Sequence, residues 1–336
     1  MEIEGLGKKN ILFEKHRCIL NRNNNVRCGQ CLAVCPTKAI DMSEGQIVYN
    51  ELNCQNCGAC RAVCPTEAFT VNSLTFLSEI CSSTEDELPL GCTLNNANKR
   101  DFNVSCYALL TEGELLYLLS KKKRIVFYTE NCEGCGYLSG FKSFLGHLGI
   151  VNGMLKDNTR ILFSSGNSGH KGIGRRHFFG WLQRKILTVV ADSLPGNSKE
   201  PGLPIPKRRQ TLILGVKNLQ GELQETTFIR EINAHNSCSG CGGCVKVCPC
   251  DALTLDSNSL SWLASSCMNC KLCTVTCPEK ALFFGRYLPL KELFIKKTLV
   301  EYSGKRCSFC GTFFSGETEM CERCSSKRKL DLFCSK

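Results

Sequence analysis

The chain has few of the residues on which hydrolytic and acid–base active sites depend. Its 336 residues include five histidines, so general bases are scarce. The sequence shows no Ser-His-Asp set and no dinucleotide fingerprint. Its apolar runs fall far short of the roughly 20 residues that a membrane span needs, and residues 1–13 lack an apolar stretch suited to export. These absences favour a cytoplasmic protein without a transmembrane segment.

Cysteine is abundant, with 27 residues. In a short secreted chain this number would indicate disulfides. The odd count and the tight C-x-x-C groups instead indicate metal binding in a reducing compartment. With 43% apolar residues, a chain of this length can form two or three small domains.

One cysteine motif recurs along the chain, and Cys54–Pro65 (CQNCGACRAVCP) is its clearest copy. Three cysteines at three-residue spacing can ligate three corners of an iron–sulfur cubane, while the fourth, followed by proline, ligates a neighbouring cluster. The other copies are Cys28, Cys31 and Cys35 with Pro36, Cys238–Pro249, and Cys267–Pro278. Every copy continues as Pro-x-x-Ala, and in both pairs 18 residues separate the copies. The pattern predicts a duplicated module.

Each pair of motifs resembles a bacterial-type ferredoxin domain with two 4Fe-4S clusters, over about Cys18–Asn72 and Ile229–Arg286. The resemblance implies crossed ligation by four sets: Cys18, Cys28, Cys31 and Cys64; Cys35, Cys54, Cys57 and Cys60; Cys238, Cys241, Cys244 and Cys277; and Cys248, Cys267, Cys270 and Cys273. The first set departs from the family pattern, because nine residues rather than two separate Cys18 from Cys28. Disulfides or structural zinc are the alternatives, and neither calls for the trailing Cys-Pro.

The predicted fold class is α+β and multidomain, with two ferredoxin-type modules flanking an α/β domain that has a parallel sheet. A small C-terminal four-cysteine knuckle follows. The predicted parts are a first module at 1–73, an α/β domain at 74–192, a linker at 193–210, a second module at 211–290 and a zinc-ribbon-like tail at 291–336.

The α/β prediction rests on alternating patterns, which are typical of a parallel sheet. The predicted strands are Leu74–Ile80, Phe102–Ser105, Arg124–Thr129 and Arg160–Phe163, and the predicted helices are Glu112–Ser120, Tyr137–Leu148 and Arg176–Asp192. Thr211–Val216 and Glu225–Glu231 are predicted as strands that lead into the second module.

Cys81, Cys106 and the pair Cys132 and Cys135 each follow a predicted strand, and Cys92 is predicted to lie in a connection. The carboxyl ends of the strands in an open α/β sheet form a ligand-binding crevice. We predict Cys92, Cys106, Cys132 and Cys135 as ligands of a further iron–sulfur or zinc site, with Cys81 competing for one position. This region loosely resembles thioredoxin-like iron–sulfur domains of hydrogenase and heterodisulfide reductase subunits. The alternatives are buried cysteines that fill the core and a redox dithiol formed by Cys132 and Cys135.

At the C-terminus, Cys307, Cys310, Cys321 and Cys324 form two knuckles that resemble a short zinc ribbon, with a rubredoxin-like iron site as the alternative. The net charge is +11 with cysteines counted as neutral. Four clusters and one zinc site at about −2 each reduce this to about +1. No nucleic-acid partner is therefore expected.

These observations predict a polyferredoxin-like iron–sulfur protein or subunit without catalytic residues of its own. It would pass single electrons through four 4Fe-4S clusters to or from redox partner proteins, such as oxidoreductase subunits. An oxidoreductase with a substrate or cofactor site in the central domain is the alternative. A regulatory cluster sensor that binds through the C-terminal tail is a third class.

Overall fold

The structure is a computed structural model that describes residues 11–23, 26–71, 77, 85–164, 206–314 and 317–326. Four of the predictions lie wholly or mostly outside these residues. They are the helix at Arg176–Asp192, the strand at Leu74–Ile80 apart from Leu77, the placement of Cys81, and the linker at 193–210 apart from residues 206–210.

The first cysteine-rich unit, residues 11–71, is built from short elements around the cysteine loops. Its strands are β1 (Ile11–Phe13), β2 (Ile40–Ser43), β3 (Gln46–Tyr49) and β4 (Phe69–Val71), and its helices are α1 (Ile19–Arg22), α2 (Gln30–Val34) and α3 (Ala59–Val63). Strand β1 pairs with β4 and β2 with β3, both antiparallel. The rings of Phe13 and Phe69 stack at 4.8 Å between centroids. Such short elements bury little apolar surface, so the unit has a thin core.

The central domain is a four-stranded parallel sheet covered by helices. Its elements are β5 (Glu87–Cys92), β6 (Phe102–Val104), α4 (Glu112–Leu119), β7 (Arg124–Tyr128), α5 (Leu138–Met154) and β8 (Ile161–Ser164). The strand order is β6-β5-β7-β8, and every pair is parallel. The predicted parallel sheet is therefore confirmed. Strand β5 was not predicted, because Pro89 and Gly91 lower its β propensity.

The core of the central domain lies between the sheet and α5. The rings of Tyr107, Phe127 and Phe144 contact one another there at centroid distances of 5.0–5.6 Å. The buried Tyr107 hydroxyl lies 2.9 Å from the Leu90 carbonyl and 2.7 Å from that of Tyr128. It therefore joins β5 to β7, and the sheet edge that carries the cysteines is rigidly held.

Helix α6 (Lys207–Asn218) replaces the strand predicted at Thr211–Val216, and that prediction is wrong. The run TLILGV resembles a buried strand locally, but tertiary packing decides its conformation. A Cβ added to Gly215 would lie 2.7 Å from the Tyr117 amide nitrogen, and one added to Gly113 would lie 2.7 Å from the Arg208 carbonyl oxygen. Close packing of α6 against α4 therefore requires these glycines.

The second cysteine-rich unit, residues 226–301, repeats the layout of the first and adds a strand. Its elements are β9 (Thr226–Ala234), α7 (Gly243–Val247), β10 (Leu253–Leu255), β11 (Ser259–Leu263), α8 (Leu272–Thr276), β12 (Leu282–Pro289) and β13 (Lys296–Glu301). Strand β9 contains the predicted strand at Glu225–Glu231, apart from its first residue, and pairs antiparallel with β12. Strand β13 lies beyond residue 290 and pairs with β11.

A knuckle with strands β14 (Lys305–Arg306) and β15 (Phe313–Phe314) follows the second unit. Among the described helices, none has the length and apolar character needed to cross a membrane.

Candidate metal centres

The sixteen cysteines of the repeated motif line four separate small cavities. Cavity A is lined by Cys18, Cys28, Cys31 and Cys64, cavity B by Cys35, Cys54, Cys57 and Cys60, cavity C by Cys238, Cys241, Cys244 and Cys277, and cavity D by Cys248, Cys267, Cys270 and Cys273. Each cavity combines cysteines from both motifs of its pair. The structure thus brings together every set that the sequence predicted, including Cys18.

The Pro-x-x-Ala sequence that follows each fourth cysteine forms a small backbone loop that donates to the thiol. In each copy the alanine amide lies 3.2–3.3 Å from Sγ of the cysteine four residues earlier: Ala39 to Cys35, Ala68 to Cys64, Ala252 to Cys248, and Ala281 to Cys277. The residue before each alanine has a left-handed backbone with φ of 48–52°. Sequence analysis noted the repeat but missed these donors.

A second backbone donor recurs at the first cysteine of one motif in each unit. The Asn56 amide lies 3.4 Å from Cys54 Sγ, and the Asn269 amide lies 3.4 Å from Cys267 Sγ. Both asparagines have positive φ, at 55° and 52°, a conformation that asparagine tolerates better than most residues. Donation from N–H groups stabilises negatively charged sulfur.

Burial favours the protonated form of two of the cavity thiols, Cys31 and Cys270. Burial, and then the neighbouring thiols, raise the pKa of Cys31 to about 12 in cavity A. Burial has the same leading effect on Cys270 in cavity D, where the pKa rises to about 12. Four such thiols ionise together only when a positively charged group binds and displaces the protons.

Trp262 adds a buried donor to the wall of cavity D. Among the described residues, its indole Nε1 has no hydrogen-bond partner. Burial raises the pKa of Cys267, and the Asn269 amide is the largest effect that opposes that rise. In cavity B the corresponding Tyr49 hydroxyl donates to the Ile11 carbonyl at 3.3 Å. An unpartnered donor facing a cavity lined by thiols fits a sulfur-rich group as its acceptor.

The four predicted cysteines of the central domain lie along the carboxyl edge of the sheet. Cys92 is the last residue of β5, so its predicted place in a connection is wrong. Cys106 follows β6, while Cys132 and Cys135 lie between β7 and α5. The Cys92 thiol donates to the Ser105 carbonyl at 3.1 Å, and the Asn98 amide donates to Cys132 Sγ at 3.3 Å. These cysteines thus lie at the sheet edge for which the sequence predicted a ligand-binding crevice.

These central thiols do not form a compact site for a single metal ion. In the described part of the chain, the one group of three or more ligand atoms within 4.8 Å of one another is at the C-terminus. A hydrogen bond with Cys106 is the largest effect on Cys92 and lowers its pKa to about 7. Cys57 of cavity B also raises the pKa of Cys106, although less than the hydrogen bond with Cys92 and burial do. The central crevice therefore lies near cavity B.

The C-terminal knuckle does form a compact site. The Sγ atoms of Cys307, Cys310, Cys321 and Cys324 all lie within 4.8 Å of one another. A hydrogen bond from the Cys310 amide is the largest effect on the pKa of Cys307, which is lowered to about 6. The Cys321 amide lies 3.3 Å from Cys307 Sγ. Four thiolates in this arrangement suit a tetrahedral metal ion.

The knuckle packs directly on the wall of cavity C. The Phe313 amide donates to the Ser239 carbonyl at 3.1 Å, and the Phe313 ring stacks on Tyr302 at 4.3 Å between centroids. The Tyr302 hydroxyl lies 3.2 Å from Cys238 Sγ. The C-terminal site and cavity C therefore share one layer of aromatic side chains.

The two cysteine-rich units also contact each other directly. Arg22 Nη1 lies 3.4 Å from the Val247 carbonyl, and Asn23 Nδ2 lies 2.6 Å from the Thr276 hydroxyl. Val247 and Thr276 immediately precede Cys248 and Cys277. The longer spacing after Cys18, which departs from the family pattern, thus supplies the surface that contacts the second unit.

Comparison with known families agrees with the geometry of the first unit. Residues 26–68 match the 4Fe-4S dicluster domain family. The chain therefore contains a 4Fe-4S dicluster domain, which includes cavity B and three of the four cysteines of cavity A. A search of curated proteins found no match to the chain.

Proposed function

We propose that this protein transfers electrons through four 4Fe-4S clusters, one in each of cavities A to D. The observation that carries the proposal is that each cavity is lined by the four thiols of one predicted ligand set, with Cys250 as a fifth cysteine at cavity D. The same N–H donors also recur in both units, although the family match covers residues 26–68 alone. A bound cluster supplies one-electron redox chemistry. The chain's part is to hold the thiolates, donate N–H groups to them and limit access of water.

The direct contact between the units supports a polyferredoxin-like arrangement. Arg22 and Asn23 place the wall of cavity A against loops of cavities C and D. We infer that electrons move between the units across this contact and are exchanged with a redox partner protein, such as an oxidoreductase subunit. Thiolate ligands are best preserved in a reducing compartment such as the cytoplasm.

At the C-terminal knuckle we propose zinc, held by Cys307, Cys310, Cys321 and Cys324. At the central crevice we propose an iron–sulfur group held by Cys92, Cys106, Cys132 and Cys135. Zinc fits the central crevice poorly, because four thiolates about 2.3 Å from one ion lie closer together than these do. The adjacent thiols of Cys92 and Cys106 also favour a second candidate function, an oxidoreductase with its own site in this crevice.

Metal analysis of anaerobically prepared protein tests the proposal. Four cubanes require about 16 iron atoms and as much acid-labile sulfide, with additional iron if the central crevice is loaded. Replacing Cys57 or Cys270 with serine should remove one cluster each. Replacing Cys250 is the matched control, because it lines cavity D outside the ligand set.

Two outcomes would contradict the proposal. The first is an iron content near eight, with zinc in the remaining thiol sites. The second is iron that is unchanged in Cys270→Ser. Turnover of a substrate without any partner protein would instead favour the oxidoreductase.

A further inference from the structure

Arg209 is a buried cation beside cavity D. It is the third residue of α6 and is 4% exposed. Its Nε donates to the Ser265 carbonyl at 2.7 Å, and its Nη2 donates to the Ala264 carbonyl at 2.6 Å. Both carbonyls belong to the turn that leads into Cys267. The guanidinium is therefore fixed on the loop that presents one thiol to cavity D.

This charge has no ion-pair partner of its own. In the described part of the chain, Arg209 forms no salt bridge with a carboxylate. Burial lowers the pKa of Arg209 to about 10, so it stays protonated at neutral pH. The Cys267 thiolate is the largest influence that favours its charged form. A buried charge without a counter-charge is costly. Cavity D can supply negative charge through its thiolates, while the Glu112 carboxylate favours the Arg209 charge less strongly than Cys267 does.

Cavity B provides the contrast. Arg61 lies between two of the motif cysteines of the first unit and is also almost fully buried. It pairs with two carboxylates, at 2.7 Å from Glu114 and 3.2 Å from Glu67. Arg208 adds a second cation there, since its Nη1 donates to the Ala62 carbonyl at 2.7 Å. The two carboxylates thus balance the positive charge beside cavity B, whereas the cation beside cavity D forms no salt bridge.

We infer that Arg209 is the counter-charge of the group bound in cavity D and raises its reduction potential above that of the group in cavity B. The inference rests on the proposed function. Reduction adds one negative charge to a cluster, and a fixed cation in a poorly solvated setting stabilises the reduced state. Arg209 acts here as a positioning residue, and electrons settle in the second unit rather than the first.

Redox titration of the full chain, followed by EPR, tests this inference. Replacing Arg209 with glutamine should make one titrating component at least about tenfold harder to reduce. For a one-electron couple this is a midpoint about 59 mV more negative. Arg209→Lys keeps the charge and should stay close to the wild type.

Arg230→Gln is the matched control. Arg230 also donates to two carbonyls of the second unit, at 3.0 Å each, but it is exposed. We expect no shift in this variant, because solvent screens its charge. No shift in Arg209→Gln, or equal shifts in Arg209→Lys and Arg209→Gln, would overturn the inference.

A second measurement does not depend on the stability of the Arg209 variants. Each of Cys270→Ser and Cys57→Ser should lose one titrating component, and the one lost from Cys270→Ser should have the higher potential. The opposite order would overturn the inference. Failure of the proposed function is distinguishable, because it appears as an iron content near eight whatever residue stands at position 209.

Discussion

Gly58 lies where the loop of cavity B meets the central domain. Its φ is +80°, and an added Cβ would clash with Leu109 Cδ1 and lie 3.0 Å from the Leu109 Cα. Gly45 has a similar φ of +77° but nothing within 4 Å of an added Cβ. Comparing variants of the two glycines therefore separates the cost of backbone strain from the cost of steric contact.

Replacing Gly45 with alanine should cost about 1–2 kcal/mol of stability, from the left-handed backbone alone. Gly58→Ala should cost about 1–3 kcal/mol more, because Leu109 and its backbone must move. Denaturant midpoints of the iron-loaded proteins, followed by visible absorbance, measure the difference. Equal losses in the two variants would show that the loop and Leu109 separate freely.

Arg61, beside cavity B, forms two buried ion pairs, with Glu67 and Glu114. Burial opposes ionisation of Glu114, but the charge of Arg61 outweighs it, so the pKa of Glu114 is lowered. Arg61→Met leaves this carboxylate buried without its partner and should cost about 3–5 kcal/mol. Lys123→Met, which breaks the exposed pair with Asp86, should cost less than about 1 kcal/mol. Thermal unfolding of both variants provides the comparison, and similar losses would contradict the role given to Arg61.

Among the structural elements, the C-terminal knuckle should bind its metal independently of the clusters. Its four thiols form a compact group, and most of its hydrogen bonds are local. Cys310→Ser should therefore lose one zinc per chain and keep about 16 iron atoms. Elemental analysis measures both. Loss of iron together with zinc would mean that the knuckle is needed to retain the cluster of cavity C, on which Phe313 packs.

At the carboxyl edge of the central sheet, a variant of Cys132 tests whether the central thiols bind a metal centre. If Cys132 is a ligand, Cys132→Ser should remove one metal centre and leave the four cubanes, since metal sites rarely survive the loss of a thiolate. EPR spectra of the reduced proteins, with metal analysis, test this. Unchanged spectra in both Cys132→Ser and Cys132→Ala would identify a buried thiol that only fills space.

The elements also show which features a sequence can predict. Cysteine spacing is local, so the sequence alone is enough to recognise the four motifs, whereas the crossed ligand sets are what the resemblance to ferredoxin domains implies. Strand β5 and helix α6 were missed because their conformations depend on tertiary contacts, at Tyr107 for β5 and at Gly215 for α6. The Arg209 carbonyl contacts lie about 55 residues away along the chain, and no local pattern signals them.

Across the whole molecule, removal of iron should destabilise the cysteine-rich units more than the central domain. The central domain has a large apolar core, with Leu88, Leu115 and Phe127 fully buried. The first cysteine-rich unit has a small core of its own, whereas the buried residues of the second unit join the core of the central domain. Thiols in both units repel one another when ionised, so we expect metal binding to supply much of their folding free energy.

Hydrogen exchange of the full chain with iron removed tests this expectation. Amides of β7 should stay protected, while those of β2, β3, β10 and β11 should exchange rapidly. The iron-loaded protein is the reference in which all of these strands are protected. Protection of the cysteine-rich units without iron would contradict the prediction.

The contact between Asn23 and Thr276 joins residues 253 positions apart, which has a consequence for biosynthesis. At roughly 5–20 residues per second, Thr276 is added roughly 13–50 s after Asn23. During that interval the outer wall of cavity A has no second unit to cover it, and its thiols are open to oxidation and to competing metals. Iron delivered before translation ends meets the first unit alone, whereas iron delivered afterwards meets a first unit already in contact with the later half of the chain.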